Sequence, residues 1–141
     1  MKNSLLLLLF TSMITFSNCD SAVVDAIFID VRGNVSSAGE PVAGAIVLLV
    51  EGTDITNGLS LSNGAISNSS GDYTILKPKK GKYYVIAIDD VNNNFKYDSG
   101  TDRLGFYGVD SDNLDFSPNR ITIGTEDIEG INIIDFTALP L

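Results

Sequence analysis

The sequence predicts an all-β fold, a single antiparallel β-sandwich of seven to eight strands. Three observations carry that prediction. Short apolar or alternating runs, at 26–35, 45–51, 60–67, 73–76, 83–89, 104–109, 120–124 and 128–136, are separated by segments rich in Gly, Pro, Asn, Asp and Ser, the residues that supply turn geometries. Two of the runs alternate with a period of two. Beyond the N-terminal segment, no window sustains a 3.6-residue apolar stripe over three turns.

In chain order, Ile29, Val31, Gly33 and Val35 interleave with Asp30, Arg32 and Asn34, which puts one set on a core face and the other toward solvent. Gly39-Glu40-Pro41 forms a tight turn, with Pro41 fixing φ before the next strand. Ala45 to Val50 is continuously apolar and reads as a central strand buried on both faces. Asn68-Ser69-Ser70-Gly71-Asp72 reads as a hairpin turn in which Gly71 admits a backbone conformation that a Cβ would oppose. Tyr73 and Tyr83 open two strands and supply large buried area with a polar tip. Lys77, Lys79, Lys80 and Lys82 form the one basic cluster and read as a solvated turn. Ile121 and Ile123 alternate with Thr122 and Gly124. With no repeat and no long linker, the chain is one domain.

Composition removes several function classes. The 141 residues include no His, no Trp and one Cys. Imidazole-based triads, His zinc sites and internal disulfides are excluded. A net charge of −9 argues against nucleic acid, which requires a Lys/Arg footprint. Gly52, Gly58 and Gly64 lack the Gly-Lys-Ser/Thr ending of a phosphate loop. The acids cluster in loops, so a glycosidase pair facing across a cleft is not indicated, and the chain reads as a non-enzyme.

Residues 1–18 carry Lys2 near their start, continue through the apolar run 5–10 and end at Phe16-Ser17-Asn18 before the sole cysteine, Cys19. The apolar core is shorter than the roughly 20 residues of a membrane-spanning helix and matches a secretory leader. The segment Phe16-Ser17-Asn18-Cys19 resembles the lipobox of bacterial lipoproteins. That resemblance implies cleavage before Cys19, lipid attachment to Cys19, a tether at 19–26 and a domain at 27–141 held on a membrane of the bacterial cell envelope, outside the cytoplasm. Removing residues 1–18 takes away Lys2 and no acid, so the net charge moves from −9 to −10, and an acidic domain is expected to stand off an anionic headgroup layer.

Two stretches carry a second resemblance: Val31-Arg32-Gly33-Asn34-Val35 followed by Gly39-Glu40-Pro41-Val42-Ala43-Gly44-Ala45-Ile46-Val47-Leu48, and Ser67 through Ile75 followed by Gly81-Lys82-Tyr83-Tyr84-Val85. In order and spacing they resemble the carboxypeptidase regulatory-like, transthyretin-like modules. This implies a prealbumin-like (Ig-like) sandwich acting as a non-catalytic accessory or interaction module. The connection 51–63 is longer and more polar than that family's usual one.

The most chemically suggestive stretch is Asp89 to Asp102. Counted from Asp90, oxygen side chains fall at positions 1, 3, 5 and 9 as Asp90, Asn92, Asn94 and Asp98, the D-x-N-x-N-x-x-x-D spacing of calcium loops. Lys96, at position 7, would contribute its backbone carbonyl. Thr101 stands where a bidentate Glu belongs, and Asp102 lies one residue further. Phe95 occupies position 6, where the turn favours Gly. These features predict a weak calcium site, against the alternative of an Asx-rich loop bonding its own backbone. The acidic stretch at 110–115 reads as a solvated loop. A protein or carbohydrate ligand fits a module of this kind, as a binding partner or as the target enzyme of an accessory protein. A sugar platform would have to come from Tyr97, Phe106 and Tyr107.

Overall fold

The computed structural model describes residues 29–52 and 63–136. The leader, Cys19 and the tether lie outside the described residues, as do most of the connection 51–63 and the C-terminal 137–141. The regular structure of the described chain is almost entirely β, with strands β1 (Asp30–Asn34), β2 (Ser36–Ser37), β3 (Glu40–Pro41), β4 (Ile46–Val50), β5 (Gly64–Ile66), β6 (Asp72–Leu76), β7 (Gly81–Asp89), β8 (Arg103–Phe106) and β9 (Arg120–Ile123), and a 3-10 turn at Ser111–Asn113. Among the described residues, no helix is long and apolar enough to cross a membrane.

β1 pairs antiparallel with β6, and β2 with β3. A five-stranded sheet runs β5-β4-β7-β8, with β9 also on β7. β4 takes one edge of β7, while β9 and β8 share the other, β9 along Gly81–Tyr84 and β8 along Ile86–Asp89. The register sorts the side chains of this sheet by parity. The partners Val47↔Ala87 and Leu49↔Val85 face one core, together with Val31 of β1, Tyr73 and Ile75 of β6, and Ile121 and Ile123 of β9. Ile46↔Ile88 and Leu48↔Ile86 face a second core, with Leu104, Phe106 and Val109. β4 is thus buried on both faces, as its continuous apolar run requires. At about 1.5–3 kcal/mol per fully buried aliphatic side chain, each face contributes substantially.

Two elements differ from expectation. The turn at 36–41 is a small hairpin closed by Ala38 and Gly39, both at positive φ, with Glu40 and Pro41 already in strand β3. The run 128–136 is not a regular strand. It lies parallel to β1 through isolated bridges at Val31↔Ile128 and Val35↔Ile133. Two of the β1 N–H groups donate to side chains instead of a continuous ladder: Asp30 N–H to Asp127 Oδ1 at 3.0 Å and Asn34 N–H to Asn132 Oδ1 at 3.0 Å. Ile128, Ile131 and Ile133 are not in period-two phase, and Gly130 at φ 74° absorbs the extra residue. Ile131 and Ile133 are nevertheless buried in the first core. The segment passes so close to β1 that a Cβ on Gly33 would stand 1.9 Å from the Ile131 carbonyl oxygen. Tyr73 Oη donates to that same oxygen at 2.6 Å, and burial pushes its pKa up.

Candidate functional site

The connection from β7 to β8 carries the predicted ion loop, and its residues are held by their own chemistry. Asp90 follows the last residue of β7, and its carboxylate accepts the Asn94 N–H at 3.1 Å and the Phe95 N–H at 2.6 Å. That capping curls the chain, and the curl places Asn93 at φ 57° and Phe95 at φ 58°. Phe95 adopts the left-handed turn in which Gly is the easy residue, with its ring 60% exposed. Asn92 Oδ1 accepts the Asn94 N–H at 3.1 Å, and Asn94 Oδ1 accepts the Lys96 N–H at 2.8 Å.

The curl brings position 9 back to positions 3 and 5. Asp98 Oδ2 accepts the Asn92 amide at 3.0 Å and the Asn94 amide at 2.6 Å. Those two donors, with help from the Lys96 charge, hold the Asp98 carboxyl below the usual carboxylate range. Four of the predicted ligand residues, Asp90, Asn92, Asn94 and Asp98, therefore share one hydrogen-bonded ring. Asp102 sits differently. It is buried, and its carboxylate accepts the Val91 N–H at 3.1 Å and the Asp98 N–H at 2.7 Å, so it ties the two ends of the loop together. Lys96 is exposed. Among the described residues, no three Asp, Glu or Cys side chains gather directly as a metal-holding group; the carboxylates here meet through amides and backbone N–H groups.

Neighbouring residues complete the surroundings. Asp89 turns away from the loop and pairs with Arg103, accepting from its Nε at 2.8 Å. Arg103 also lies over the Phe136 ring at 5.3 Å, and together with Ser36, Ser37, Ser111 and Asp112 these residues line a cleft of about 520 Å³. Sequence patterns did not indicate this cleft, because its walls come from distant segments with no shared motif. The acidic stretch at 110–115 is turn chemistry: Asp110 accepts the Asn113 N–H at 3.2 Å, and Asp115 accepts the Ser117 N–H at 3.0 Å. Asn68 behaves alike, its side chain accepting the Ser70 and Asp72 N–H groups. Of the three candidate sugar-stacking rings, Phe106 is buried, while Tyr97 and Tyr107 are half-buried and pack on the two cores.

Comparison with protein-family models, with curated proteins and with solved structures returns no match for this chain.

Proposed function

We propose that the chain is a non-catalytic binding or structural module of the bacterial cell envelope, lipid-anchored through Cys19, with a prealbumin-like β-sandwich whose Asp90–Asp98 loop takes one weak calcium ion. The observation that carries the reading is the left-handed turn at Phe95. A bulky L-residue is held there because Asp90 captures the N–H groups of Asn94 and Phe95, and the resulting curl brings Asn92, Asn94 and Asp98 together beside it. Asp90 and Asp98 supply charge, and Asn92 and Asn94 supply amide oxygens a bond rotation away from facing them. The ion would stabilise the native state by mass action and perform no chemistry.

Support for the sandwich assignment is the shared first core between the β1–β6 pair and the five-stranded sheet and the positions of the resemblance residues. Gly71 stands at φ 80° with the Val35 carbonyl 2.3 Å from where its Cβ would be. Gly44, at φ 79° with open space around it, serves its turn by conformation and not by making room. Of the rings that a carbohydrate platform would use, Phe106 is buried, and Tyr97 and Tyr107 are half-buried against the two cores.

The test is a thermal melt of the full-length chain in 10 mM calcium and in chelator. A site with a dissociation constant of about 1 mM adds about 1.4 kcal/mol, a midpoint rise of about 5 °C. The rise should vanish in Asp90→Ala and Asp98→Ala. Identical melts at every calcium level would remove the ion from the reading. Acylation is checked separately by the mass of the native protein and its loss in Cys19→Ser.

A further inference from the structure

The net charge of this chain is −9, yet its charges are not evenly placed. β7 runs from Gly81 to Asp89, about 26 Å at the rise of a β-strand. Its first residue adjoins the turn that carries Lys77, Lys79, Lys80 and Lys82; its last opens the Asp/Asn loop. The chain enters the fold at the lysine end, where the Lys77 N–H donates to the Ile29 carbonyl at 3.0 Å. Ile29 is ten chain steps from Cys19, so this end lies within about 35 Å of any anchor there. Beside the turn, at the end of β6, Leu76 is 66% exposed. Lys79, Lys80 and Lys82 are exposed as well. The carboxylates at this end are Asp30, opposite Leu76 on β1, with Asp127 and Glu129, which share Arg32 at 2.9, 3.6 and 3.2 Å, and the exposed Glu126; against them stand Arg32 and the lysines of the turn, so the local balance is near neutral and far less acidic than the chain as a whole.

We propose that this end of the domain, Leu76 with Lys79, Lys80 and Lys82, docks on the anionic headgroups of the bilayer that holds the chain. The inference rests on the lipid anchor proposed above. Net charge is the wrong quantity for such a contact. The Debye length is about 8 Å in physiological salt, so an acidic loop about 26 Å away is screened from the surface, while lysines at the surface are not. An exposed Leu flanked by lysines combines a shallow apolar contact with headgroup attraction, the second signal that makes a lipid anchor firm. Ile29, the first described residue, and the basic turn lie at one end of the fold, so an anchor upstream and docking there would reinforce each other and present the Asp/Asn loop to the aqueous side.

The absence of tryptophan makes the test direct. The full-length chain is coupled through its sole thiol, Cys19, to a maleimide lipid in vesicles, which supplies an anchor whether or not the cell does. A single Trp is introduced as Leu76→Trp or, at the far end, as Val91→Trp, and quenching by brominated acyl chains reports its depth. In vesicles containing phosphatidylglycerol, Trp at position 76 is expected to be quenched and Trp at 91 not. Each lysine near an anionic surface is worth about fivefold in the docked-to-free ratio, so Lys79→Gln, Lys80→Gln and Lys82→Gln together lower it about a hundredfold. Pure phosphatidylcholine or high salt should act likewise. Equal quenching at both positions, no quenching at 76, or quenching indifferent to lysines and lipid charge would each overturn the docking. A native Cys19 found without acyl chains by mass would overturn the anchor and leave the quenching result to be read by itself.

Discussion

Replacing Gly33 with Ala tests the closest backbone approach at any described glycine. The new Cβ would stand 1.9 Å from the Ile131 carbonyl oxygen, 2.5 Å from its carbon and 2.9 Å from Tyr73 Oη. The first two are backbone atoms and cannot rotate away, so β1 and the segment at 128–133 must separate by more than an ångström. Separation strains the hydrogen bond from Ile131 N–H to the Arg32 carbonyl and the bond from Tyr73 Oη to Ile131, about 1 kcal/mol each. It also loosens Ile131 and Ile133, which are 4% and 0% exposed, at up to about 1.5–3 kcal/mol each. The expected loss is about 3–5 kcal/mol, a large share of the roughly 5–15 kcal/mol that holds a domain together. Urea unfolding of the full-length protein measures it. Gly124→Ala is the control, since a Cβ there meets nothing within 4 Å. A Gly33→Ala protein within about 1 kcal/mol of the parent would refute the claim that the C-terminal segment is locked against β1.

Tyr73→Phe should cost about 1–2 kcal/mol at neutral pH by leaving the Ile131 carbonyl unpaired. The sign of its pH dependence follows from burial: the folded hydroxyl stays protonated while the unfolded one ionises near pH 10, so the parent loses about 1.4 kcal/mol per pH unit above 10 and the variant, lacking the group, loses less. Alkaline melts of the two proteins compare the slopes. Ser67→Ala removes an Oγ that accepts the Ala45 N–H at 2.9 Å and donates to the Val42 carbonyl at 2.6 Å; equilibrium unfolding should show a loss of about 1–3 kcal/mol. Phe95→Gly relieves a left-handed L-residue and should stabilise by about 0.5–1 kcal/mol, net of the entropy Gly adds to the unfolded chain, as read by thermal melting. Asp98, held ionised below the usual carboxylate range by the Asn92 and Asn94 amides, lends its loop stability that is full above about pH 4 and lost as pH falls through its lowered value; acid titration of the thermal midpoint, compared with Asp98→Asn, follows it.

Much of the strand content was readable because burial leaves a periodic mark. Ile29, Val31 and Val35 are buried, while Asp30, Arg32 and Asn34 between them are only partly covered. Ile121 and Ile123 repeat that pattern, and the unbroken run Ile46–Leu49 marks a strand covered on both faces. The hairpin Ser36–Pro41 is too short for a period, and the apolar run at 128–136 did not show that its phase slips at Gly130 or that its Asp127 and Asn132 side chains would accept β1 N–H groups. In the candidate loop, Asp98 returns to Asn92 and Asn94, and Asp90 caps the turn, the local backbone and side-chain bonding that closely spaced Asp and Asn residues favour. The spacing could not foretell that Asp102 would be buried as a clasp or that Asp89 would pair with Arg103, since both depend on the register of β8 against β7.

The length of that loop has a structural cause that is separate from any ion. β7 and β8 are antiparallel neighbours, and a two-residue turn would suffice to join them. The longer connection answers a need of the sheet: with Ile46, Leu48, Ile86 and Ile88 on its second face, something must exclude water there. Tyr97 from the β7–β8 connection and Val109 from the β8–β9 connection pack against those residues. The loop is therefore divided along its length. Tyr97 and Asp102 hold it down, one by packing and one by clasping backbone N–H groups. Asn92 and Asn94 stand in solvent with Asp90 and Asp98 beside them, half-buried. A loop pinned in this way presents its oxygen atoms at little further cost in conformational entropy. Tyr97 and Asp102 thus hold the loop to the sheet, and Asp90, Asn92, Asn94 and Asp98 close the hydrogen-bonded ring within it.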